Sequence, residues 1–98
     1  MLYFKKNFWP QILSGEKRTT IRRWTTPRVK SNSRCYAPGI GWLRIDAIEQ
    51  IDLNRLTLAD ARADGFKSLR ALRSTLDELY PDRATDGRSW FRVTFRTE

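Results

Sequence analysis

The stretch from Trp42 to Leu53 limits the possible folds most, because its side chains alternate in character at a spacing that only an extended chain satisfies. Leu43, Ile45, Ala47, Ile51 and Leu53 fall on one face, and Arg44, Asp46, Gln50 and Asp52 on the other. A strand of this kind is buried on one side only, which is the habit of antiparallel sheets. The alternation breaks once. Glu49 stands on the apolar face and Ile48 on the polar one, which predicts a bulge or sharp twist midway. A second strand of the same type closes the sequence at Ser89 to Arg96, with Phe91, Val93 and Phe95 inward and Arg92, Thr94 and Arg96 outward.

The remaining segments fit around these two. Leu2-Tyr3-Phe4 reads as a short apolar strand. Asn7 is placed to cap a helix over residues 8–14, with Pro10 tolerated in its first turn and Phe8, Trp9, Ile12 and Leu13 as its buried stripe. Gly15 follows where a left-handed C-cap ends a helix. Arg18 to Trp24 is a strand, with Thr19 and Ile21 on one face and Arg18, Thr20, Arg22 and Trp24 on the other. Thr25 to Ser33 is a loop, Arg34 to Ala37 a brief strand, and Pro38-Gly39-Ile40-Gly41 a hairpin connection. Thr57 and Asp60 form a capping box for a helix ending at Gly65. Ser68 caps the next helix, whose Leu69, Leu72, Leu76 and Leu79 recur at three and four before Pro81 stops it, and a polar loop spans 82–87. The order is βαβββααβ in one domain, residues 1–98. That predicts an α+β fold of about five mostly antiparallel strands curled into a small barrel, with about three helices covering its ends.

Charge narrows the classes of partner. Nineteen Lys and Arg against 11 acids give a net charge of +8, which favours polyanions, RNA or single-stranded nucleic acid first among them. Cys35 is the only cysteine, so an internal disulfide is excluded and a reducing compartment is expected. Histidine is absent, which removes Ser-His and Cys-His nucleophile pairs and every His-ligated metal site. No apolar run approaches the roughly 20 residues that span a bilayer. The expectation is a cytoplasmic protein with no membrane partner and no cofactor.

Unusual chemistry concentrates in Ile12 to Arg23, read as ILSGEKRTTIRR. Lys17 is crowded by Arg18, Arg22 and Arg23, and a lysine with its charged form disfavoured acts as a base or nucleophile near neutral pH. The plain alternative is a solvated lysine in a turn. Thr20 shares a strand face with Arg22 and either meets a substrate or simply favours the strand. Asp60 and Asp64, four apart on a helix, would present two carboxylates on one face or form a solvated surface. Aromatic and basic residues interleave at Arg22-Arg23-Trp24, at Trp42-Leu43-Arg44 and at Trp90-Phe91-Arg92, a mixture that binds single strands by stacking and phosphate neutralisation. Trp24 and Trp42 lie on polar strand faces and are the stacking candidates, whereas Trp9 belongs to the core.

The pattern Gly15-x-Lys17-x-x-Thr20-x-Arg22 resembles the GxKxxExR signature of ASCH domains, members of the PUA-like superfamily. The run from Leu56 to Phe66, the leucine-rich helix and Trp90 to Phe95 are similar to that family's two helices and final strand. Thr20 in place of Glu resembles the bacterial branch of N4-acetylcytidine amidohydrolase. That resemblance implies a catalytic set of Lys17, Thr20 and, by alignment, Asp64, one methylene shorter than the family's Glu. Asn32-Ser33 also replaces a Gly-Asp turn. Two main readings result. One is a nucleic-acid-binding module gripping its ligand in a basic cleft with Gly15, Arg18, Arg22, Arg23, Trp24, Trp42 and Arg44. The other is an amidohydrolase acting on an N4-acylated cytidine, a modified nucleoside, with Lys17 as base, Thr20 as nucleophile and Asp64 as proton shuttle. Ribonuclease activity is a third.

Overall fold

The computed structural model describes residues 1–81 and 87–98. Its sheet is organised by the last strand in the sequence. This strand, β4 (Ser89–Thr97), lies between β1 (Thr19–Trp24) and β3 (Gly41–Ile51), and β2 (Ser33–Ala37) pairs with the far side of β3. All three pairings are antiparallel. Three helices complete the α+β fold: α1 (Trp9–Ser14), α2 (Leu58–Ala63) and α3 (Leu69–Leu79).

Alternation along β4 supplies both faces of the sheet. Val93 and Phe95 bury into a core with Leu2, Ile12, Cys35, Ala37, Leu43 and Ile45, closed over by the N-terminal segment and α1. On the opposite face, Trp90 packs against Ile21, Leu56, Ala61, Leu72 and Leu76, which α2 and α3 supply or cover. The helices form as their sequences dictate. Thr57 and Asp60 make the reciprocal capping box at the start of α2, and the Ser68 side chain accepts the Ala71 N–H at the start of α3.

Several expectations are corrected. Among the described residues the sheet has four strands and does not close into a barrel, so β1 and β2 remain as edges. Leu2-Tyr3-Phe4 is not a strand: Leu2 N–H bonds Tyr36 O at 3.1 Å, while Phe4 O accepts from the Trp9 indole instead of a neighbouring backbone. The helices cover the sheet faces rather than barrel ends. Asn7 caps nothing, because the chain enters α1 through a 3₁₀ turn over Lys6–Phe8 that places Asn7 inside the turn. Leu13 is 57% exposed, since the sheet reaches only the Ile12 side of so short a helix. The bulge sits at Asp46, between Ile45 and Ala47, earlier than the break in the alternation suggested. One extra residue there moves Ile48 onto the face of Leu43 and Ile45, which is why Ile48 looked misplaced. Leu53 lies beyond the strand, in a 3₁₀ turn over Leu53–Arg55. Of the polar loop expected over 82–87, residues 82–86 lie outside the described residues.

The β2–β3 hairpin shows how tightly the two layers fit. Gly39 turns with φ +85°, and a Cβ there would overlap the Trp9 ring, itself pinned by its bond to Phe4 O. Gly15 has a similar φ of +84° with open space around it. Gly39→Ala therefore combines backbone strain with overpacking and is expected to lower stability by about 2–4 kcal/mol, whereas Gly15→Ala carries the strain alone, about 1–2 kcal/mol. Urea unfolding of both variants measures the difference.

Candidate functional site

The approach of α1 and α2 to β1 builds the site. Gly15 ends α1 in the left-handed conformation and turns the chain back, so that Lys17 N–H bonds Gln11 O and Arg18 N–H bonds Ala63 O. Those two bonds tie the start of β1 to the last turns of both helices. Lys17 then points inward beneath α2. Gly65, with φ +90°, allows this, since a Cβ there would lie 3.2 Å from Lys17 Cβ and 2.9 Å from Gln11 Oε1.

Lys17 is 4% exposed and Asp64 3%. The Lys17 ammonium donates to the Asp64 backbone carbonyl at 2.8 Å and lies 3.2 Å from Asp64 Oδ1. The rings of Phe8 and Phe66 flank it at 5.2 and 5.5 Å. Thr19 Oγ1 donates to the same carboxylate oxygen at 3.0 Å. Burial pushes both groups toward neutrality: it lowers the Lys17 pKa against the opposing attraction of Asp64, and raises that of Asp64 against Lys17 and Thr19. Next along β1, Thr20 is buried and its hydroxyl accepts from Arg22 Nε at 3.1 Å. Arg22 also donates to Tyr3 O at 2.8 Å and lies over the Phe4 ring at 4.9 Å.

These groups open on one cavity of ≈ 120 Å³. Lys17, Thr20, Ile21, Arg22 and Asp64 line it, walled by Phe4 and Phe8 from one side and by Leu76 and Tyr80 of the α3 side from the other. A cavity of about 150 Å³ accommodates a benzene ring, so this space is matched to a single ring rather than to a duplex. The site thus brings together Lys17, Thr20, Asp64 and Arg22. The other residues singled out from the sequence lie elsewhere. Gly15 acts through the turn, and Arg18 is exposed beyond it. Arg23 points to the opposite face, its guanidinium 5.1 Å from the Trp90 ring. Trp24 is not a free stacking platform: it packs on the core and against Phe91 at 6.1 Å. Trp42 and Arg44 sit on β3, away from the cavity, with Trp42 48% exposed beneath Arg34. Asp60 does not pair with Asp64, because its oxygens are held by Thr57 and Arg92.

Thr19, which orients the carboxylate, and the aromatic walls Phe4, Phe8, Phe66 and Tyr80 were missed by sequence reasoning. Alternation assigned Thr19 to an apolar face with nothing to mark the acid waiting there. The aromatic walls come from three separate segments that only the fold unites.

The buried pair yields a prediction with a definite sign. Lys17→Met strands a buried carboxylate and is expected to cost about 3–5 kcal/mol at neutral pH. In that variant the folded pKa of Asp64 rises further, because its nearest cation is gone. A folded pKa above the unfolded one contributes stability at low pH that is lost as pH rises through the folded value. Lys17→Met should therefore regain stability relative to the parent on acidification toward the ordinary carboxylate pKa. Unfolding midpoints at a series of pH values test this, and the double variant Lys17→Met/Asp64→Leu should recover much of the loss at neutral pH.

No family model and no curated protein matches the sequence. Solved structures do match in fold. The chain superposes on the hypothetical protein PH0355 with a TM-score of 0.78 at 12% identity, covering 98% of this chain and 95% of that one. It superposes on an ASCH domain from Lactobacillus crispatus with a TM-score of 0.67 at 16% identity, covering 90% of this chain and 68% of the other. A mutant of the Zymomonas mobilis protein ZmASCH gives 0.65 at 22% identity, covering 97% and 66%. The chain spans about two thirds of the length of these two ASCH structures. The chain thus has the fold seen in these ASCH-domain structures.

Proposed function

We propose that this domain is an amidohydrolase that removes an acyl group from the exocyclic nitrogen of a cytosine-type base. The observation that carries the proposal is a cavity sized for one ring that the desolvated Lys17–Asp64 pair and Thr20 line together. Burial makes the neutral amine of Lys17 and the neutral acid of Asp64 more accessible from the ion pair than either would be in water. In that form Lys17 is a base and Asp64 a proton donor, which is the separation of roles that acyl transfer needs.

Lys17 takes the Thr20 proton while Oγ1 bonds the acyl carbon, and the Arg22 contact favours the oxygen as it gains negative charge. The tetrahedral intermediate collapses, the C–N bond breaks, and the amine leaves with a proton from the Lys17–Asp64 pair. Water, deprotonated by the same pair, then cleaves the Thr20 ester to release the carboxylic acid and restore the hydroxyl.

Incubation with N4-acetylcytidine is expected to release cytidine and acetate. Thr20→Val and Lys17→Ala should each reduce kcat/KM by about 10²-fold or more, with folding verified by circular dichroism. The rate should rise with pH through the lowered Lys17 pKa. Asp64 raises that pKa, so Asp64→Asn should move the rising limb to lower pH. Turnover undiminished in Lys17→Ala would sink the mechanism.

A second reading has its own observation. Exposed Trp42 lies 4.4 Å from the Arg34 guanidinium and 5.4 Å from Tyr36, and Arg34, Arg44 and Arg96 stand opposite one another across β2, β3 and β4. Like charges in register destabilise a sheet unless an anion offsets them, although Glu98 and Asp46 neutralise two of these. Such a surface suits a single-stranded nucleic acid carrying the base to be processed. Binding to an oligonucleotide should weaken steeply with salt and fall about fivefold or more in Trp42→Ala. An unchanged affinity in that variant would remove the surface from consideration.

A further inference from the structure

The edge strand beside the candidate site turns part of its backbone away from its neighbour β4. Phe95 N–H bonds Arg18 O at 3.0 Å, and the register runs from Thr19 opposite Thr94 to Trp24 opposite Ser89 without a shift. In an antiparallel ladder, pairs alternate between exchanging both hydrogen bonds and exchanging none. Arg18 therefore begins the series in which Thr20, Arg22 and Trp24 face β4 with their backbone groups. Thr19, Ile21 and Arg23 turn theirs outward, to the open edge of β1. The cavity lies on that side: its lining comes from β1 and Lys17 just before it, from the N-terminal segment over one face, from Asp64, Phe66 and α3 over the other, and from no residue of β2, β3 or β4.

Ile21 is the outward-turned residue that lines the cavity. It is buried, no backbone bond to its N–H or carbonyl from outside the ladder is found among the described residues, and the alternation turns both groups to the cavity side. A peptide group turned to the cavity side of an edge strand favours a ligand that supplies the matching donor and acceptor. The N–H and C=O of one strand residue point the same way, offering a donor and an acceptor side by side. A second strand cannot use them here, because the N-terminal segment and α3 close over both faces and leave room for one ring. The complementary ligand is a planar ring with an acceptor nitrogen next to an N–H donor. Cytosine has this edge, in N3 and the exocyclic nitrogen, and keeps it when that nitrogen carries one acyl group.

We infer that the main chain of Ile21 reads the base: its N–H donates to ring nitrogen N3, and its carbonyl accepts from the exocyclic N–H. This deepens the proposed amidohydrolase activity and rests on it for the identity of the ring. It assigns specificity to a backbone group that no side-chain comparison would single out. Uracil presents the donor and acceptor in reversed order, so uridine would have to turn over and carry its ribose to the opposite side of the cavity.

The test is a titration of the ¹⁵N-labelled full chain with cytidine, uridine and 3-deazacytidine, which lacks the N3 acceptor. With cytidine, the Ile21 amide proton should move downfield and its exchange with solvent should slow. Uridine and 3-deazacytidine should bind about tenfold or more weaker, the factor expected when a buried donor is left unpaired. Equal binding of 3-deazacytidine, or an Ile21 amide that stays fixed while cytidine perturbs Lys17 and Arg22, overturns the inference. If cytidine binds on Ile21 but N4-acetylcytidine is not hydrolysed, the recognition stands and the catalytic proposal falls. If none of the nucleosides binds at millimolar concentration, both fall.

Discussion

A single ion pair, withdrawn from water, ties the architecture together. Lys17 and Asp64 are separated by 47 residues and belong to segments that share no sheet pairing, yet each is almost completely buried. Taking two charges out of water costs several kcal/mol per ion, and their attraction offsets this only with further hydrogen bonds in place. Those are present: the ammonium also bonds the carbonyl at the end of α2, and Thr19 bonds the carboxylate. The placement of α1, α2 and the edge strand follows from satisfying this pair, because the Lys17 stem fits only over Gly65 and only when Gly15 has reversed the chain. Apolar side chains of similar volume would hold the same joint at no lower stability. A buried pair lining a cavity is better explained by its chemistry than by its strength.

What could be read in the sequence is what local physics decides. Capping at Thr57 and Ser68, the glycine stop at Gly15, the leucine stripe of α3 as far as Leu76 and the inward face of β4 each follow from neighbours within a few residues, and each is found in the structure, whereas Leu79 at the end of the stripe is exposed. Errors fall where a distant partner decides. Leu2 to Phe4 has strand-like composition, but its backbone partners go to Arg22 and Trp9 side chains as well as to Tyr36. Trp24 sits among charged residues in the sequence and is drawn into the core by Phe91 across the ladder. Ile48 looks misplaced until the bulge at Asp46 shifts its parity. The same division holds for the site. Lys17, Thr20 and Arg22 form a local pattern and could be singled out together, whereas Asp64 was placed only through resemblance, and the aromatic walls not at all.

Charge and geometry answer different questions about the same molecule. The excess of eight positive charges is spread over a small surface, and much of it is already locally paired: Arg34 with Glu98, Arg96 with Asp46, Arg92 with Glu49 and Asp60. Such a distribution draws polyanions to the domain and speeds their encounter without selecting among them. Selection requires groups that lose water on binding and have one acceptable partner each. On the proposed reading that selection falls to the open edge of β1, where the Thr20 hydroxyl, the Lys17–Asp64 pair and Ile21 border one small cavity. An edge strand is ordinarily a hazard, since its free N–H and C=O groups invite another chain to pair. Here the N-terminal segment and α3 roof that edge on both sides, which bars a strand and admits a ring. The feature that keeps the sheet from closing into a barrel is thus the one that gives the site its backbone donor and acceptor. A fifth strand added to β1 would complete the sheet and abolish the pocket.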